Sequence, residues 1–314
     1  MKTKFILPII ALGLFAACSD DNSTTTGPDP DPQGESTESS ASIEPESSSA
    51  TEPTSAAIEE SSSSSSVEMA YKYYGAELTG VDQFKYGRFE ARMKMVSFPG
   101  TVSSMFLNYD DSWMRKEKPW NEIDIEVIGK SATKWQSNIL TREGDPDIGD
   151  LTATEKLHEI TDVTENFHLF AIIWTPEYVA WEIDSVEVRR VEKGVENGSH
   201  ADKDQVAFLT EEESLRFNLW ASKTPAWTGK FTGKELADGP KVQWIDYVRV
   251  YKYVENSKTF ELEWQDDFDG DALDKTHWTT GNWEMENTWH SPKNVVVEEG
   301  YCKLLMTRVL EPVK

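Results

Sequence analysis

Between Trp120 and Gly129 the chain reads Trp-Asn-Glu-Ile-Asp-Ile-Glu-Val-Ile-Gly, placing carboxylates at 122, 124 and 126 with isoleucine between them. In a β-strand successive side chains point to opposite faces, so a period of two sorts residues by face. Glu122, Asp124 and Glu126 therefore share one face, and Ile123 and Ile125 share the other. The apolar face can anchor in a core. The acidic face must look into solvent or a cleft.

The same period recurs along the chain. Phe89, Ala91, Met93 and Met95 alternate with Glu90, Arg92 and Lys94; Val179, Trp181 and Ile183 repeat the pattern, as do Val248 and Val250 around Arg249. Helical periodicity is scarce, and Glu211 to Leu215 is expected to form no more than a short turn. Many short strands punctuated by Gly, Pro, Asn and Asp predict an all-β sandwich over residues 69–314, a size that one all-β domain reaches. The chain's 12 Trp, 13 Phe and 10 Tyr suit a large β core, a sugar-stacking cleft, or both.

Three carboxylates crowded on one face repel one another, and partial dehydration raises the pKa of at least one. A glycosidase needs this asymmetry: one ionised carboxylate attacks while a protonated carboxyl donates to the leaving oxygen. Along a strand the Cα atoms of residues 122 and 126 lie ~13 Å apart, and inward-leaning side chains leave about 5–6 Å between carboxyls, the retaining separation. Asp124 would sit between them and hydrogen-bond the nucleophile. The residues alone also allow a plain solvated face, or oxygen ligation of a cation such as Ca²⁺.

Trp120 through Gly129 resembles the catalytic signature of glycoside hydrolase family 16, in the uninterrupted form of its lichenases and xyloglucan-active members. Tyr86-Gly87-Arg88-Phe89-Glu90-Ala91-Arg92, Gly100-Thr101-Val102-Ser103-Ser104-Met105-Phe106, Gln136-Ser137-Asn138, Trp174-Thr175-Pro176 and Leu215-Arg216-Phe217-Asn218-Leu219-Trp220 follow in family order. The segment from Phe268-Asp269 to Trp278, which normally opens the family's domain, here follows Val248 to Tyr253, which normally close it. The order resembles that of a circularly permuted bacterial lichenase, with Glu255 to Lys258 bridging the old ends.

The resemblance implies a jelly-roll fold and endo-acting, retaining cleavage of β-1,4 bonds adjacent to β-1,3 bonds in mixed-linkage β-glucan. It makes Glu122 the nucleophile, Asp124 its assistant and Glu126 the acid/base. Phe106, Trp120, Trp220 and Trp283 would stack on sugar rings, and Glu77, Gln136, Asn138, Arg216 and Asn218 would meet hydroxyls. Asn108 stands where the permuted lichenases have Tyr. No catalytic cofactor is implied; a structural Ca²⁺ would be held near Asp246, Asp267 and Gly300, largely by backbone carbonyls. Hydrolysis or transglycosylation of xyloglucan or β-1,3-glucan is the alternative within the fold. A non-catalytic carbohydrate-binding protein is the alternative outside enzymes.

The remainder of the sequence concerns location. Residues 1–18 read as an export signal, with Lys2 and Lys4 before an apolar run, and Phe15-Ala16-Ala17-Cys18 resembles a lipoprotein box with Cys18 as the lipidated residue. Residues 19–68 carry 12 acidic residues and no Lys or Arg among Ser, Thr and Pro, the composition of a disordered tether. An exported monomer, anchored by lipid at the outer membrane or cell surface, is expected. The balance of 31 basic against 56 acidic residues argues against a nucleic-acid partner. Cys302, in the apolar run Tyr301 to Met306, is expected to be buried and inert.

Overall fold

The computed structural model describes residues 68–114, 118–142, 151–195 and 204–313. The export signal, Cys18 and the tether up to residue 67 lie outside the described residues. Eighteen strands are present among those described, in the order β1 Met69–Phe84, β2 Gly87–Lys94, β3 Thr101–Asn108, β4 Trp120–Ile128, β5 Lys134–Arg142, β6 Thr152–Ala153, β7 Lys156–Glu159, β8 His168–Trp174 and β9 Tyr178–Ile183. There follow β10 Val186–Glu192, β11 Glu213–Ala221, β12 Lys241–Val254, β13 Thr259–Asp266, β14 Trp278–Thr280, β15 Glu284–Met285, β16 Thr288–His290, β17 Val295–Glu298 and β18 Tyr301–Pro312. The one α-helix among the described residues, α1 (Pro225–Thr228), is a single turn.

The strands form two packed layers. A groove sheet runs β14–β1–β11–β3–β4–β5, with β6 and β7 along the outer edge of β5. A back sheet centres on β12–β2–β8–β9–β10, with β13 and β18 on the far side of β12 and β17 on β18. Pairing within both layers is antiparallel. The first half of β1 leaves the groove sheet to pair with β18, Met69 lying opposite Pro312.

Alternation places the core. Ile123, Ile125 and Val127 of β4, Met105 and Leu107 of β3, and Phe217 and Leu219 of β11 face inward from the groove sheet, fully buried. Phe89, Ala91 and Met93 of β2, Phe170, Ile172 and Trp174 of β8, and Val248 and Val250 of β12 meet them from the back sheet, also fully buried. Truncating one such side chain to Ala removes about 2–5 kcal/mol. Polar cross-links fix the two layers against each other. The Trp181 indole on β9 donates to the Asp124 carbonyl at 2.9 Å, and Gln243 on β12 accepts from Ser103 Oγ at 2.7 Å and donates to the Ser104 carbonyl at 2.9 Å. Gly129 ends β4: any Cβ there would strike the Phe98 carbonyl, and its N–H bonds the Thr101 carbonyl at 2.7 Å.

One expectation is corrected. Glu211 to Leu215 is not a helical turn; from Glu213 it is the start of β11. The inward positions of that strand are Glu213, Leu215, Phe217 and Leu219, so a carboxyl occupies an apolar slot and disguises the alternation. Cys302 is buried as expected, with burial pushing its thiol far up.

Candidate active site

Register assembles the site before any loop contributes. Across three strands, Asn108 lies beside Glu122, Phe106 beside Asp124 and Asn138, and Ser104 beside Glu126 and Gln136. On the other side of β3, Ser214, Arg216 and Asn218 of β11 extend the same rows, and Glu77 of β1 lies beside Asn218. No register shift interrupts β3–β4 or β4–β5, so all these side chains share the outward face of the groove sheet. Yet Asp124, Phe106, Asn108, Trp120, Gln136, Asn138, Asn218, Trp220 and Glu77 are each under a tenth exposed. An outward sheet face is that dry only when flanking segments rise around it, which makes the face the floor of a groove.

The carboxyls at the centre are not equivalent. Glu122 Oε2 accepts from Asn108 Nδ2 at 2.7 Å and from Trp120 Nε1 at 2.9 Å. The neighbouring Asp124 also favours the ionised form of Glu122. Burial pushes Glu122 above the usual carboxylate range, and Asp124, the two hydrogen bonds and the Arg216 charge pull it back. Glu126 receives one long contact, from Gln136 Nε2 at 3.4 Å. Burial, then the Glu122 charge, pushes it up to about 8. Asp124 is driven well up by burial and by the charges of Glu122 and Glu126, and its Oδ2 is buried without a partner. Glu122 thus loses its proton first and Glu126 keeps one, the pairing that double displacement at an acetal carbon requires.

The remaining residues occupy the flanks. Burial works to raise Glu77, but His290, Arg216 and Thr79 outweigh it and hold its carboxyl below the usual range; the His290 Nδ1 contact is 3.3 Å and the Arg216 contact 3.4 Å. Arg216 also meets Asp110 at 2.7 Å. Ser104 Oγ donates to Asn218 Oδ1 at 2.6 Å, and Asn138 Oδ1 accepts from the Thr154 amide at 3.0 Å. Trp283 lies at the Glu77 end, its ring 5.7 Å from His290, and Trp220 lies 6.0 Å from Trp227 of α1. Trp227 Nε1 donates to Gln136 Oε1 at 3.3 Å, turning the Gln136 amide nitrogen towards Glu126. Trp227, His290 and Asp110 were not singled out from sequence. They stand on turns or a short strand, where no period marks a face.

Of the three residues expected to hold a cation, two carry arginine partners on their side chains. Asp246, the extra residue of a bulge in β12, binds Arg92 at 2.6 Å. Asp267 binds Arg249 at 2.9 Å. Gly300 makes the left-handed turn between β17 and β18. No group of three acidic, His or Cys side chains converges as a cation site among the described residues. Both carboxylates are thus paired with guanidinium groups.

Comparison with known proteins agrees with the geometry. A β-glucanase of Fibrobacter succinogenes is 39% identical over 246 residues, covering 76% of this chain and 65% of that protein. A β-glucanase of Brevibacillus brevis is 27% identical over 186 residues, covering 59% and 64%, and one of Acetivibrio thermocellus is 29% identical over 184 residues, covering 58% and 47%. The match thus spans less than two thirds of each relative. A β-1,3-1,4-glucanase structure from a mouse hindgut metagenome aligns over 52% of this chain and 73% of its own at 27% identity, with a TM-score of 0.39, too partial a likeness to build on. The family model for glycosyl hydrolases family 16 matches residues 46–245, and the chain belongs to that family.

Proposed function

We propose that the protein is an endo-acting, retaining β-glucanase of the licheninase type, cleaving β-1,4 bonds adjacent to β-1,3 bonds in mixed-linkage β-glucan. The observation that carries this reading is the split between two carboxyls on one strand face: Glu122 with two hydrogen bonds to one oxygen, and Glu126 with one long contact and pushed up to about 8. In the first step Glu122 attacks the anomeric carbon, the glycosidic C–O bond breaks, and Glu126 gives its proton to the departing oxygen. In the second, water attacks the same carbon, passes a proton to Glu126 and releases Glu122. Asp124, between the two on the strand, assists the nucleophile. Phe106, Trp120, Trp220 and Trp283 offer ring faces to sugars, while Glu77, Gln136, Asn138, Arg216 and Asn218 supply polar contacts along the floor. The two carboxyls carry all the proton and covalent chemistry, so no cofactor enters the steps.

The permuted order is part of the proposal. Its support is that Met69 and Pro312 are paired neighbours, while β12 and β13 are joined by a tight turn with Val254 opposite Thr259. Joining 312 to 69 by a short linker and opening the chain at 256 should then give a folded, active protein. Export and lipid attachment at Cys18, with the acidic segment as tether to a monomeric enzyme, are proposed from sequence; radiolabelled fatty acid incorporation that persists in Cys18→Ser would refute the anchor.

The deciding assay is reducing-sugar release by the full chain on barley β-glucan, lichenan, laminarin, xyloglucan and carboxymethylcellulose. Activity confined to the first two supports the reading. Activity on laminarin or xyloglucan alone replaces the substrate, and none on any substrate leaves a binding protein.

A further inference from the structure

Asn108 is the last residue of β3, and its backbone is pinned on both sides. Its carbonyl accepts from Ser214 Oγ at 3.3 Å, and the next residue's amide bonds the Asn121 carbonyl at 3.0 Å. The side chain, 8% exposed, delivers its amide to Glu122 Oε2 at 2.7 Å. The Trp120 indole reaches the same oxygen at 2.9 Å from the strand that carries the nucleophile. A carboxylate oxygen has two lone-pair directions, and two well-placed donors use both. That leaves Oε1 as the atom with a free lone pair for carbon. Neither donor ionises near neutral pH, so the arrangement holds whatever the states of Asp124 and Glu126.

We propose that Asn108 is a positioning residue for the nucleophile: with Trp120 it occupies Oε2, assigns attack to Oε1, and makes Glu122 a better leaving group in the second half of the reaction. The inference rests on the hydrolase reading. When Oε1 bonds the anomeric carbon, Oε2 becomes an ester carbonyl and its hydrogen bonds weaken. When water displaces the ester, the C–Oε1 bond breaks, negative charge returns to the carboxylate, and the same bonds strengthen again. Donors on Oε2 therefore favour release of the glycosyl-enzyme more than its formation. A side chain that merely contacts sugar would act on substrate binding instead.

The test compares wild-type full chain with Asn108→Leu, which keeps the volume and removes the donor, and Asn108→Asp, which keeps the shape and offers an acceptor. Melting temperatures verify that both fold. Steady-state rates on barley β-glucan across pH should show kcat and KM falling together in Asn108→Leu, each by about tenfold. The acidic limb of kcat/KM should move up by about one pH unit, a tenfold change in the proton equilibrium. Asn108→Asp should show larger changes in the same direction. A raised KM with unchanged kcat, or an unmoved acidic limb, overturns the proposal. A carboxyl-¹³C NMR titration of the free protein separates this from failure of the hydrolase reading. If no glucan is cleaved by wild type, an upward move of the Glu122 titration in Asn108→Leu still supports the positioning role, and an unchanged midpoint still overturns it.

Discussion

The two sheets treat charge in opposite ways. On the back sheet acids and bases come in pairs: Arg88 with Glu90 at 2.6 Å and Glu182 at 2.8 Å, Arg92 with Asp246, Arg249 with Asp267, and Lys252 with Glu263 at 3.0 Å. In the groove Glu122, Asp124 and Glu126 crowd one strand face, with Glu213 buried behind them and both of its oxygens without partners. Arg216, which faces them, is shared with Glu77 and Asp110. Paired, wetter charges contribute little to stability. Crowded, dehydrated acids drive one another's pKa upward and cost stability, which a fold retains where chemistry needs them.

Substitutions sharpen that contrast, beginning with the largest effect. Glu122→Gln should reduce glucan hydrolysis by more than 10³-fold with little change in binding, measured by rate and by affinity electrophoresis; hydrolysis within tenfold of wild type would return the acids to the class of ordinary surface charges. The pH profile comes next. The kcat/KM curve should fall on its alkaline side near pH 8, where Glu126 loses its proton, and Asp124→Asn should displace the limbs because the three carboxyls titrate together.

Stability should run the other way. The Glu126 carboxyl is raised in the fold, so the native state binds this proton more tightly than the unfolded chain does. Its contribution is complete below the unfolded value of about 4.5 and lost as pH rises to about 8. Glu126→Gln should therefore melt higher than wild type at pH 9, by about 2–4 °C for each kcal/mol recovered, and show a smaller gain at pH 5. An equal change at both pH values would mean that the groove acids are not strained. Arg249→Ala should cost no more than about 1 kcal/mol in urea unfolding. The smallest expected effect concerns the cation proposed from the family resemblance at Asp246, Asp267 and Gly300. Millimolar Ca²⁺ should leave the melting temperature unchanged, and a rise would restore a cation site there.

Much of this was legible in the sequence because a strand needs one parity decision. Once Glu122, Asp124 and Glu126 share a face, antiparallel register carries Phe106, Asn108, Gln136, Asn138, Arg216 and Asn218 to it. Parity says nothing about what a side chain meets. Asn108 was legible as a groove residue, but not as a donor to the nucleophile. His290 against Glu77, and Trp227 against Gln136, join segments far apart in sequence through turns without a period. Glu213 was hidden because a carboxyl in a core slot looks like the end of an exposed acidic run. Asp246 and Asp267 look like hard-cation ligands in isolation, and only the folded back sheet shows the arginines facing them.

The most direct test of the central claim, that Glu122 attacks carbon while Glu126 donates a proton, is the configuration of the first-formed product. Proton NMR of the new reducing end during the first minutes of β-glucan cleavage should show the β-anomer, with the α-anomer growing in only as mutarotation proceeds. An α-anomer at the outset would mean single displacement by water and would contradict the assignment of Glu122 as nucleophile.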